Sequence, residues 1–274
     1  MALFGLWSFV WDDVLDSGDH GDHTSPSETV RPFEQALVYA EHHLGLSNPP
    51  NEPPAPSAAF GLLQHSARTL REQVNADQRL RIFNQIKIYI ECCQTEQKYT
   101  SRGVVPSEQE YWEYRRDTST IPMWLSLAEY AADVTLPRVI LETDEFSTLW
   151  KQVNRGGIII NDVLSLRKEM HENVINLVPV MMHASGQSID SVMSLIIQQL
   201  EKCVQDIKGA GRALLGMVDN DPLLRAGLQR YIDQVESMVT GAYYWSLECD
   251  RYQVAQYKQE DGSLVIPLKC APHQ

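Results

Sequence analysis

Apolar residues recur every three or four positions along nearly every long stretch of this chain, and that rhythm restricts its fold more than any other feature. Between residues 28 and 44, Val30, Phe33, Ala36, Leu37, Tyr39, Ala40 and Leu44 fall at helical spacings. The stretches 58–74, 78–96, 123–133, 143–170, 187–218 and 221–253 read the same way. Only the tail, where Asp261-Gly262 precedes SLVIPL, looks extended, and one such run cannot form a sheet alone. The pattern predicts an all-α fold. The opening MALFGLWSFVW is apolar almost throughout. No Lys or Arg stands in front of it, no small-residue cleavage site follows, and it runs directly into Asp12-Asp13, so it reads as a buried helix rather than a signal peptide. It is also too short to span a bilayer.

Five prolines fall within residues 49–56 of the stretch NPPNEPPAPS. No helix survives that density, which makes the segment a polyproline-like surface loop between two helices. The expected organisation is one helical domain over residues 1–254 and a C-terminal tail over 255–274. Acidic residues number 36 against 23 Lys and Arg, a formal net charge of -13. Such a surface repels nucleic-acid phosphates and anionic lipid, which argues against nucleic-acid binding and membrane insertion. It binds a phosphate ester only if metal ions bridge the charges. The five cysteines, Cys92, Cys93, Cys203, Cys249 and Cys270, include an adjacent pair and no C-x-x-C. They indicate neither a disulfide framework nor a zinc site, and they fit a reducing, cytoplasmic compartment.

Two constellations can do chemistry. In Asp12-Asp13-Val14-Leu15-Asp16, Asp12 and Asp16 are four apart and share one helix face. Carboxylates stacked in this way repel each other unless a cation lies between them, and hard oxygen ligands suit Mg²⁺. The competing reading is an acidic helix end beside the polar loop DSGDHGDH, whose His20 and His23 fit a solvated turn better than a metal cluster. In NDVLSLRKE at 161–169, Asn161, Ser165 and Glu169 stand at i, i+4 and i+8, placing an amide carbonyl, a hydroxyl and a carboxylate on one face. An all-oxygen set again favours Mg²⁺ over zinc. Lys168, seven residues from Asn161, lies near that face and within reach of a phosphate. A solvated polar stripe is the alternative, but Ile158-Ile159-Ile160 immediately before it argues for burial. Gly156-Gly157 weakens the same helix by roughly 1 kcal/mol per residue relative to Ala, which suggests close packing or room for a ligand.

DDVLD at 12–16 followed downstream by N-D-x-x-S-x-x-x-E at 161–169 resembles the paired metal motifs of class I terpene synthases. Three further features are similar to the microbial, fungal-like branch. Arg115, in YRRDTST, stands 46 residues before Asn161, where that branch has a diphosphate-sensing arginine. Lys168 precedes the last Glu of the triad, and Arg251-Tyr252 matches an Arg-Tyr pair near the C-terminus. The resemblance runs from about residue 3 to residue 252. It implies a helical bundle around a central apolar cavity, three Mg²⁺ ions and a prenyl diphosphate substrate, with farnesyl diphosphate expected ahead of geranylgeranyl diphosphate.

On that resemblance the metal ligands are Asp12, Asp16, Asn161, Ser165 and Glu169. Arg115, Lys168, Arg251 and Tyr252 grip the diphosphate, and Phe9 and Trp245 are cavity aromatics that stabilise carbocations. The reaction is ionisation and cyclisation to a sesquiterpene, a carbon–oxygen lyase activity on a phosphate ester. A chain-elongating prenyltransferase carries two D-D-x-x-D motifs, and this chain has the Asn-Ser-Glu form in second place. An accessory relative that binds prenyl diphosphate with little turnover is the alternative function. Family members carry several dozen residues before the Asp-rich motif, so the N-terminal helices look missing here. That predicts an exposed apolar patch beside residues 2–11, poor solubility and weak activity.

Overall fold

The computed structural model describes residues 2–16, 26–170 and 174–268, without the side chains of residues 2, 12–16, 26–32, 94–98 and 100–102. The described residues form helices joined by turns, and their only β feature is an isolated antiparallel bridge between Lys258 and Leu264. The fold is all-α. No helix among them is long and apolar enough to cross a membrane. The chain divides into two compact units, one comprising residues 1–96 and 117–135, the other residues 97–116 and 136–274.

The first unit is built on α1 (Ala2–Asp16), α2 (Pro26–His43), α3 (Phe60–Gln73) and most of α4 (Ala76–Arg102), with α6 (Ile121–Ser126) and α7 (Ala128–Ala131). Phe60 is its aromatic hub. Trp7, Trp11 and Tyr39 each meet it edge-on, with ring centroids 5.6, 5.0 and 5.7 Å away. These are the T-shaped arrangements that ring quadrupoles prefer. Phe4, Trp7 and Trp11 of α1 are buried, while Leu3 and Leu6 are 37% and 50% exposed. The expectation of an apolar surface beside the first helix therefore falls on those two leucines. Gly5 lies against Trp124 so closely that a Cβ there would sit 2.2 Å from the indole. Gln78 and Arg81 of α4 both hydrogen-bond the buried Glu129 of α7, and Gln78 also donates to the Val134 carbonyl at 3.3 Å. The helix expected over 123–133 is divided at Leu127 into α6 and α7.

The second unit is built around α9 (Asp144–Glu169), which packs on α10 (Leu177–Ser185), α11 (Ile189–Met217) and α12 (Pro222–Glu248). The short α8 (Arg138–Leu141) precedes it, and most of α5 (Glu108–Thr118) belongs to the same unit. Side-chain caps start each long helix. Thr143 accepts from the Phe146 amide, Ser188 from Ser191 and Asp221 from Leu224. Each such cap satisfies an amide that the helix itself leaves open. Phe146 stacks on Tyr231, whose hydroxyl accepts a 2.6 Å bond from Trp150 Nε1. Gly156 lets α9 approach its neighbours, with its missing Cβ 3.6 Å from Val239 and 3.7 Å from Leu200. The last helix stops at Glu248 instead of running to 253, because Cys249 turns extended and Tyr252 folds back into a buried position.

Candidate active site on the second unit

α9 carries Asn161, Ser165 and Glu169 on successive turns, as their spacing requires. Ser165 is fully buried, and its hydroxyl makes no hydrogen bond of normal geometry among the described residues, although it lies near enough to Glu169 to favour the charged carboxylate. A buried hydroxyl between an amide oxygen and a carboxylate is the arrangement an oxygen-loving divalent ion would satisfy. The residues present fit such an ion. Burial, followed by the Asp162 charge, pushes the Glu169 carboxyl up to about 7, against the lowering effects of Asn176, Arg115 and Ser165. A carboxylate so disfavoured as an anion is one that a cation would stabilise.

The remaining contacts of this face are polar and converge from distant parts of the chain. Arg115, near the end of α5, donates from Nη2 to Asn161 Oδ1 at 2.8 Å and to Asp162 Oδ1 at 3.4 Å. Its guanidinium can only donate, which fixes the carbonyl end of the Asn161 amide toward it. The other end, Asn161 Nδ2, donates to the Tyr252 hydroxyl at 2.8 Å. Burial raises that phenol to about 12, with Arg251 opposing and Glu169 adding to the shift. Tyr252 is therefore a protonated hydroxyl at any physiological pH. Arg251 and Lys168 are half-buried. Trp245, on α12, is 42% exposed and meets Tyr252 edge-on at 5.8 Å.

Three residues that sequence reasoning passed over organise the site. Asp162 is 1% exposed and accepts from the Tyr111 hydroxyl, from the Leu177 amide at 2.7 Å and from Arg115. Asn176 caps α10 and donates from Nδ2 to the Asp162 carbonyl at 2.7 Å and to Glu169 Oε2 at 2.8 Å. Tyr111 is fully buried, and burial beside Asp162 holds its phenol well above the usual range. Asp162 was visible as a carboxylate next to Ile158-Ile159-Ile160. Tyr111 was reachable through the Ser107–Glu110 capping box, in which the Glu110 amide donates to Ser107 Oγ and the Ser107 amide to Glu110 Oε2.

Of the first motif, Asp12 and Asp16 fall on α1, but their side chains lie outside the described residues. His20 and His23 also lie outside them. Phe9 is half-buried on the same helix.

The family model described as terpene synthase family 2, C-terminal metal binding, matches residues 4–206. The chain belongs to the class I terpene synthases. It is 30% identical to the sesquiterpene cyclase hepA of Aspergillus oryzae, over 96% of this chain and 74% of the relative. Among solved structures, linalool/nerolidol synthase from Streptomyces clavuligerus, in complex with 2-fluorogeranyl diphosphate, shares the fold with a TM-score of 0.73. Its sequence is 16% identical, and the match covers 88% of this chain and 78% of that one. 2-Methylisoborneol synthase from Streptomyces coelicolor, in complex with Mg²⁺ and geranyl-S-thiolodiphosphate, matches with a TM-score of 0.71 and 15% identity, covering 90% and 78%. This terpene synthase thus resembles a sesquiterpene cyclase in sequence and two synthases in fold, and its family model is a metal-binding one.

Proposed function

We propose that this terpene synthase is a sesquiterpene cyclase that ionises farnesyl diphosphate with Mg²⁺, and that Asn161, Ser165 and Glu169 hold one of three such ions. The observation that carries the reading is the buried Ser165 hydroxyl, set between two further oxygen donors on α9 and without a hydrogen bond of normal geometry among the described residues. Asp12 and Asp16 supply the second ligand motif in this proposal. Mg²⁺, when bound, would neutralise the charge that develops on the departing diphosphate.

The chain's own residues do the rest. The allylic C–O bond breaks with its electron pair leaving on the diphosphate. Arg115 offers a planar fork of donors to phosphate oxygens. In exchanging Asn161 Oδ1 for those oxygens, it would release the amide oxygen that it now holds at 2.8 Å. Lys168 and Arg251 add positive charge, and Tyr252 donates a hydroxyl hydrogen that its raised pKa keeps in place. An alkene of the same substrate then attacks the cation, and loss of a proton ends the sequence. In this reading Phe9 and Trp245 are the aromatics whose quadrupoles would stabilise the travelling charge. The activity is that of a carbon–oxygen lyase. A cytoplasmic setting is part of the reading, supported by the reduced thiols of Cys92, Cys93, Cys203 and Cys249.

Purified protein incubated with farnesyl diphosphate and Mg²⁺ should release diphosphate and a cyclic hydrocarbon or alcohol, detected in the volatile fraction. Turnover of geranylgeranyl diphosphate alone would correct the substrate. Chain elongation with isopentenyl diphosphate, or saturable binding without diphosphate release, would overturn the proposal.

A further inference from the structure

The C-terminal turn of α2 and the proline-rich loop after it bring together three groups that the proposed reaction does not use. His42 and His43 close the helix, and Glu52 stands in the loop. Gly45, at a φ of 70°, turns the chain back after the helix, as a residue without Cβ does readily. One ring nitrogen from each histidine and one carboxylate oxygen of Glu52 all lie within 4.8 Å of one another. The separation of His43 Nε2 from Glu52 Oε1 is 3.7 Å. That is too long for a hydrogen bond and close to the roughly 3.3 Å between neighbouring ligands of a tetrahedral ion with bonds of about 2.0–2.1 Å.

Two independent features mark the cluster as built. His42 Nδ1 and His43 Nε2 are both buried and lack a hydrogen-bond partner among the described residues. Buried polar atoms without partners are uncommon, and two of them beside one carboxylate call for a common explanation. Glu52 Oε1 in turn accepts from Gln64 Nε2 at 3.0 Å, which orients the carboxylate as outer hydrogen bonds orient metal ligands. Burial, then the neighbouring His42, lowers the His43 pKa against the pull of Glu52, with Arg68 and Arg71 adding to the lowering.

We propose that His42, His43 and Glu52 form a binding site for a divalent transition ion of the zinc type, with water completing the coordination, which clips the proline-rich loop to α2. Two imidazoles and a carboxylate are a borderline donor set that suits zinc, whereas Mg²⁺ requires oxygen. The site is thus chemically distinct from the all-oxygen face of α9. Its role is structural, since closing the chain between His43 and Glu52 removes freedom from a loop whose prolines supply few internal hydrogen bonds.

The test uses the full chain stripped with a chelator, held in excess MgCl₂ to occupy oxygen-only sites, and titrated with ZnCl₂ against a chromophoric zinc indicator. One zinc ion per chain should bind, and the loop over residues 48–57 should become more resistant to proteolysis. Glu52→Gln changes a largely exposed side chain and should fold normally while weakening zinc binding by about tenfold or more. His42→Asn should abolish both effects, and Glu169→Gln should leave both unchanged. Titration with CoCl₂ separates the ligands, because a thiolate-to-cobalt charge-transfer band would assign the ion to a cysteine and overturn the proposal. Absence of tight zinc binding, or equal affinity in wild type and both site variants, would overturn it equally.

Discussion

Tyr111→Phe is the cleanest probe of how the α9 ligand face is held. The substitution preserves a fully buried ring and removes one hydroxyl that donates to Asp162, a carboxylate only 1% exposed. Water does not replace the lost donor in so enclosed a position. Hydrogen bonds to charged groups contribute about 1.5–3 kcal/mol, and the cost should fall in that range. It should stay below the ~3–5 kcal/mol of a broken buried ion pair, because the Leu177 amide at 2.7 Å and Arg115 at 3.4 Å still face the charge. At about 2–4 °C per kcal/mol for a chain of this size, the midpoint of thermal unfolding should drop by several degrees. Urea unfolding of wild type, Tyr111→Phe, Asp162→Asn and the double variant closes a thermodynamic cycle. Asp162→Asn alone should cost more than Tyr111→Phe, and adding Tyr111→Phe to it should cost less than about 1 kcal/mol. If Tyr111→Phe lies within roughly 0.5 kcal/mol of wild type, or the two costs simply add, the hydroxyl is not holding Asp162 and the account of the site's support fails.

Ser165→Ala removes a hydroxyl that makes no hydrogen bond of normal geometry among the described residues, so stability without metal should stay within about 0.5 kcal/mol while Mg²⁺-dependent turnover falls at least tenfold; equal activity would separate Ser165 from the metal. Gly156→Ala places a methyl group at ordinary contact distance from Val239 and Leu200 in mid-helix and should stabilise by up to about 1 kcal/mol in urea unfolding. Gly5→Ala drives a methyl group into Trp124 and should destabilise by about 1–3 kcal/mol, visible as a lower midpoint of thermal unfolding. Trp245→Leu keeps an apolar side chain but removes the quadrupole, so linear and monocyclic products should rise with diphosphate release retained; an unchanged product profile would leave the indole without a role in cation control.

The long helices were legible because each carries an apolar stripe of the right period, and α9 was legible twice, through its stripe and through its oxygen donors. α5 was not, since EQEYWEYRRDT is polar apart from its aromatics and hides its buried positions Tyr111, Tyr114 and Thr118 at i, i+3 and i+7. α10 was missed for the opposite reason. LVPVMMHAS is apolar around the whole helix and contains Pro179, which reads as a break although it sits in the first turn, where the lost amide hydrogen is not needed. The end of α12 was overextended because periodicity carries no term for Tyr252 turning back to bond Asn161.

The same limitation explains why the ligand spacing was readable while its support was not. Spacing along one helix is local information, and it selects Asn161, Ser165 and Glu169 without reference to anything else. What aims that face is the adjacent residue, Asp162, rotated about a quarter of a turn away and fixed by partners 51 and 15 positions distant in sequence. Glu169 presents a harder problem, because it is the last residue of α9, where a helix frays most easily. Asn176 answers it by bonding Glu169 and the Asp162 carbonyl with one amide nitrogen, so the start of α10 is tied to both ends of the ligand face. Each of these bonds contributes only about 1 kcal/mol of net stability. Their larger effect is geometric, since a ligand set that must move to meet an ion loses affinity to reorganisation, and the proposed set is held in place before anything binds.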